Sequence, residues 1–209
     1  MAVYKFSNVS GFKNYQRYND FLAGNPAVIL DNGAYFPLGE FTLASAQANI
    51  EFTNIPQTYT HLQIRLIARS TRNFASSTET ILGVRAGNGS IDTGNNYSYH
   101  ALGGDGSSAF VGALTSNSSM PLGYISAFNA TAGQFGVAVI DVLDYKSTNK
   151  NKTFRCLTGV DRNGAGQVRF TSGLWMNSSS AIDTIRLFDY NGSGDFVQYT
   201  SAALYGVLA

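Results

Sequence analysis

The chain has 209 residues, of which 13% are charged, and a formal net charge of +1. That charged share is about half the roughly 25% usual for globular domains. The polar surface must therefore come from Ser, Thr, Asn, Gln and Gly, and charge repulsion does little to keep the protein apart from partners. A near-neutral balance argues against nucleic acid, because neutralising phosphates takes a basic face. The basic cluster "YKSTNKNKTFR" reads as a solvated hairpin tip. No apolar run approaches the ~18 residues of a membrane span. With Cys156 as its single cysteine, the chain can form neither an internal disulfide framework nor a cysteine zinc site. "MAVYKFSNVSGFK" lacks the apolar core of a signal peptide, so synthesis in a cytoplasm without the usual export signal is expected.

Residues 1 to about 38 are irregular and aromatic-rich. In "GFKNYQRYNDFLAGNPAV", Phe12, Tyr15, Tyr18 and Leu22 recur at helical spacing, and Gly24 could end a short helix. Two readings stand side by side. One is a helix packed on its own domain. The other is an arm docking on a neighbouring subunit, with Phe12, Tyr15, Tyr18, Phe21 and Leu22 as anchors that bury large area at low entropy cost.

From residue 39 to 209 the chain alternates short apolar runs with Gly/Asn/Ser clusters. "FTLASAQANIEF" reads as a strand. In "THLQIRLIARS", Leu62, Ile64, Leu66 and Ala68 fall on one face and His61, Gln63 and Arg65 on the other, with Ile67 an exception. "ETILGVRAG", "NYSYHAL", "AFVGALT" and "GYISAF" follow. "QFGVAVIDVLDY" is so apolar that burial on both faces is expected. "KTFRCLTGV", "QVRFTSGLWM", "AIDTIRLF" and "YTSAALYGVL" complete the series. Turn clusters such as "AGNGS", "GGDGS", "DRNGAG" and "YNGSG" separate these runs. About ten short strands without long helical patterns predict an all-β, antiparallel, jelly-roll-like sandwich. The apolar C-terminal run should be paired inside a sheet.

Chemistry is sparse. "NNYSYHALGGDGSS" holds His100, Asp105 and Ser107, but a strand running into a tight Asp-Gly turn accounts for all three. His61 and His100 could share a metal only on neighbouring strands. Asp92, Asn95 and Asn96 could offer oxygens to calcium, or simply form a solvated turn. Asp141/Asp144 and Asp189/Asp195 are the local carboxylate pairs that a glycan hydrolase would need. Trp175 reads as core rather than as a sugar platform. No cofactor is expected.

Three segments together resemble tailed-bacteriophage virion structural proteins with β-sandwich domains. They are "NIEFTNIPQTYTHLQIRLIARS" with its Ile-Pro-x-x-Tyr-x-x-Leu turn, the Asn-Tyr-Ser strand of "NNYSYHALGGDGSS", and a closing Ser-x-x-Leu-Tyr-Gly strand in "FVQYTSAALYGV". The resemblance runs from about Ala44 to the C-terminus and transfers no catalytic residue. It implies a non-enzymatic virion component. The expected form is a homo-oligomeric capsid decoration or cement protein, partnered by the major capsid protein or by tail proteins, with the N-terminal segment as its anchor. The alternative is a tail-attached module binding a host glycan through exposed aromatics at Tyr97, Tyr99 or Tyr190.

Overall fold

A computed structural model describes residues 35–75 and 77–208. The possible helix and the anchors Phe12, Tyr15, Tyr18, Phe21 and Leu22 lie outside them. The described residues form strands β1 (Tyr35–Thr42), β2 (Asn49–Phe52), β3 (His61–Ala68), β4 (Glu79–Asn88), β5 (Ser90–Ile91), β6 (Tyr97–Gly104) and β7 (Ala109–Asn117). These are followed by β8 (Met120–Ser126), β9 (Gly136–Leu143), β10 (Lys152–Asp161), β11 (Gly166–Trp175), β12 (Thr184–Asp189) and β13 (Ser201–Val207). Because β1 starts at Tyr35, the sandwich begins a few residues before the boundary at 38 that composition suggested.

The strands are antiparallel and form two sheets. One has eight strands in the order β1-β13-β3-β9-β10-β11-β6-β7; the other runs β2-β12-β4-β5, with β8 also paired to β4. Setting aside β5, β6, β7, β10 and β11 leaves β1-β13-β3-β9 facing β2-β12-β4-β8. That is the double Greek key of a jelly roll. The four remaining long strands extend the first sheet past β9.

Alternation explains the core. Leu62, Ile64, Leu66 and Ala68 on β3 all point between the sheets and are sealed from solvent. Ile140 and Val142 of β9, Phe154 and Cys156 of β10, and Leu82 and Val84 of β4 join them. The sheets approach so closely at Gly173 that a Cβ there would sit 1.9 Å from the sulfur of Met120.

Three expectations change. "FTLASAQANIEF" is not one strand: it ends β1, crosses between the sheets and begins β2. Its crossing is pinned to the antiparallel crossing from β12 to β13 by hydrogen bonds from Leu43 N to Thr200 O and from Gln47 N to Phe196 O, both 2.9 Å. "QFGVAVIDVLDY" is covered on one face only, since Val137 and Val139 are exposed. Lys152 is not part of a solvated tip. It is buried, its Nζ donates to Asn177 O at 2.8 Å and to Ser180 O, and it lies over the Trp175 ring.

Candidate interaction surface

Cross-strand registers define what the outer face of the eight-stranded sheet presents. Starting at β1, Glu40, Ala203, Arg65, Val139, Leu157, Phe170, Leu102 and Val111 are direct partners in succession. The neighbouring rung runs Thr42, Ser201, Ile67, Val137, Gly159, Val168, Gly104 and Ala109. The large apolar residues of these two rungs, including the Ile67 that broke the alternation of its strand, are between 41% and 83% exposed. From β9 to β7 the first rung is uninterrupted Val, Leu and Phe over four strand spacings, about 19 Å. With its neighbour it covers on the order of 300 Å² in projection. That is the size of the largest apolar patch on a typical monomer, a patch that is often functional.

The rung on the other side of the first is polar across most of the sheet: Gln63, Asp141, Arg155, Ser172 and His100 are direct partners in succession, ending at Ala113. Asp141 accepts from Gln63 Nε2 at 2.9 Å and from Arg155 Nη2 at 3.0 Å. Arg65 sits between the rings of Tyr35 and Tyr205, 5.4 and 5.2 Å from their centroids. The exposed apolar stripe from β9 to β7 is therefore bordered by a polar rung that carries Arg155 on β10 and His100 on β6.

The sequence-predicted groups are placed elsewhere. Tyr97 is fully buried: its one hydroxyl proton lies between the Ala86 and Asp92 carbonyls, 3.0 and 2.9 Å away, its oxygen accepts from Ala86 N, and burial pushes its pKa up. Tyr99 is half-buried on the inner face beside Arg169. Tyr190 is half-buried and accepts from Asn117 Nδ2 at 2.7 Å. The expectation that these three rings stand exposed at loop tips is therefore corrected. Alternation puts Tyr97 and Tyr99 on the inner face of β6, and Tyr190 is held at the β12–β13 turn.

Asp92 staples a loop. Burial pushes its carboxyl pKa up, but hydrogen bonds from Trp175 Nε1 (2.8 Å), Asn96 Nδ2 (2.9 Å) and Gly94 N (2.8 Å) outweigh this and hold it below the ordinary 3.8. Trp175 is buried, as its surroundings in sequence suggested, and so is Cys156, whose thiol burial pushes upward. Asp189 is buried and accepts from Ser70 Oγ (2.7 Å) and Thr80 Oγ1 (2.9 Å), while Asp195 faces solvent. Asp144 takes Lys150 at 2.6 Å. His61 and His100 lie on β3 and β6, with β9, β10 and β11 between them. Among the described residues no three His, Cys, Asp or Glu side chains come together. Asp105 accepts from Ser107 N and Ser108 N, so "GGDGS" is the tight β6–β7 turn.

The residues that carry the virion resemblance are structural staples. Gln57 Nε2 ties Ile55 O to Ile182 O at 2.8 and 2.9 Å. Tyr145 donates to Pro56 O. Tyr59 covers Gly206 of the closing strand, where an added Cβ would meet the ring at 2.3 Å. The Tyr of the turn and the Gly of Leu-Tyr-Gly thus fit against each other. No protein-family model matches the chain, and no curated protein matches it.

Proposed function

We propose that the protein is a non-enzymatic structural subunit of a tailed-bacteriophage virion, and that on the particle it decorates the capsid. One observation carries this reading: two adjacent rungs on the outer face of the long sheet hold exposed Val, Leu and Phe side chains from β9 to β7. Covering on the order of 300 Å² of apolar surface is worth about 7 kcal/mol at ~25 cal/mol per Å², before the costs of association. A wide flat face of this kind suits docking on a broad protein surface better than gripping a small molecule. The low charge of the chain and the motif resemblance point the same way, and jelly rolls are a recurrent solution for viral shells. The partners in this reading are the major capsid protein and further copies of the chain.

Gold-labelled antibody on particles from the source culture tests the assignment. Label over the head is the expected result. Label confined to the tail would replace capsid decoration by the tail-attached, glycan-binding reading, and particles without label would overturn the virion reading altogether. The N-terminal anchor is tested by removing residues 1–34, which leaves β1 whole. The truncated chain should fold and fail to join particles; normal incorporation would overturn the anchor.

A further inference from the structure

The two edges of the eight-stranded sheet are built differently. An open edge strand presents unpaired N–H and C=O groups and invites another strand, and natural sheets guard such edges with Pro, charge or bulges. β1 has all three: Pro37, Glu40 and a register shift between Pro37 and Gly39. β7, "AFVGALTSN", has no proline and no charge; its one register shift with β6 lies at its far end, between Leu114 and Asn117, and the register is regular from Ala109 to Leu114. Among the described residues, none of the backbone hydrogen bonds outside the strand ladders and no side-chain hydrogen bond uses residues 109–116. Val111 in its centre is 83% exposed. The strand is held from behind: Phe110 meets Tyr124 edge to face, and Arg169 lies between Tyr99 and Tyr124.

We infer that β7 is a self-pairing edge, and that two copies of this chain join antiparallel through residues 109–113 about a two-fold axis perpendicular to the sheet that passes between the two copies of Val111. Self-pairing sets each side chain near its own copy or a close neighbour, so a charged edge would oppose itself; β7 has no charge to oppose. The operation is closed and isologous, the commonest arrangement in oligomers. It also leaves both outer faces on one side, so the apolar rung that ends at Val111 runs on into that of the second copy. Five residues span about 17 Å, and the pairing covers less than half of the ~800 Å² per partner of a standard interface. The dimer is therefore weak, with dissociation in the micromolar range. This inference rests on the edge and does not require the virion reading.

Sedimentation equilibrium of the full chain up to about 100 μM tests it, at concentrations bracketing a micromolar constant. Wild type should pass from monomer to dimer. Val111→Lys should raise the dissociation constant at least about thirty-fold, the effect of removing a central interface residue. Thr42→Lys on β1 should leave it unchanged, and both variants should keep the wild-type circular dichroism. Because Cys156 is buried, Val111→Cys supplies the accessible thiol and should cross-link oxidatively to a dimer. A wild type that stays monomeric would overturn the inference. So would an association abolished by Leu157→Lys yet untouched by Val111→Lys, which would make the dimer a face-to-face one.

Discussion

Along β10, Phe154 and Cys156 point between the sheets and are sealed from solvent, while one residue further on Leu157 points outward and is 52% exposed. The same split runs through β9, where Ile140 and Val142 are buried and Val137 and Val139 are not. Both faces of the long sheet draw on Val, Leu, Ile and Phe. What separates them is the number of layers: the second sheet covers the inner face, and nothing in the described residues covers the outer one. An apolar strand face thus reports a need for cover without saying which molecule provides it.

The strongest way to break this comparison is to truncate one residue on each face. Phe154→Ala should lower the unfolding free energy by about 3–5 kcal/mol through the cavity it leaves. Leu157→Ala, already half in water, should cost about 1 kcal/mol or less. Urea unfolding of both variants decides; equal losses would mean that the outer face is covered within the chain.

Carboxylates extend the test to polar groups. Asp189→Ala strips partners from the buried hydroxyls of Ser70 and Thr80 and leaves Arg72, 3.8 Å away, without its counter-charge. A loss of about 3 kcal/mol is expected. Asp141→Ala removes a half-exposed pair with Arg155 and the acceptor of Gln63 Nε2, and should cost about 1–2 kcal/mol, less than Asp189→Ala.

Acid should act through the loops. Hydrogen bonds hold the Asp105 carboxyl below 3.8, and the hydrogen bond and charge of Lys150, against a smaller opposing effect of burial, do the same for Asp144. Asp92 is also held below 3.8. A carboxyl with a lowered folded pKa contributes its full stability above the unfolded value and loses it as pH falls through the folded value. Thermal midpoints should therefore drop below about pH 4, and Asp92→Asn should make that drop smaller by on the order of 2 °C. An unchanged pH profile in the variant would remove Asp92 from the account.

The smallest effect on stability belongs to the outer rung. Val139→Thr with Leu157→Thr should leave the unfolding free energy within about 0.5 kcal/mol of wild type, since threonine suits an exposed strand. The same double variant should lower binding of a hydrophobic dye and incorporation into particles. Undiminished incorporation would separate the apolar face from assembly.

Much of the fold was legible locally. Alternation placed Leu62, Ile64 and Leu66 on one face, and the burial of Trp175 and Cys156 followed from apolar neighbours. The face itself was hidden, because "QFGVAVIDVLDY" is apolar at successive positions and a period of two cannot separate one covered face from two. Tyr97 shows the same gap. Its alternation was readable, but not that its side of β6 turns inward, where its hydroxyl meets Ala86 and Asp92. Lys152 looked like a surface cation because the carbonyls of Asn177 and Ser180 that hold it come from a loop 25 residues or more away.

By itself the sequence determined strands and turns, because these depend on near neighbours. In "DRNGAG", Asn163 and Gly164 both take positive φ, 59° and 102°, and Arg162 N reaches Ala165 O at 2.7 Å. That is the turn that Asn-Gly favours. Only the tertiary structure decided that β13 lies between β1 and β3, with Leu204 opposite Ile64, and that the second sheet stops short of covering both sides of the first. Those pairings join residues far apart in the chain, and their energy comes from cross-strand fit and excluded water, which no local window contains.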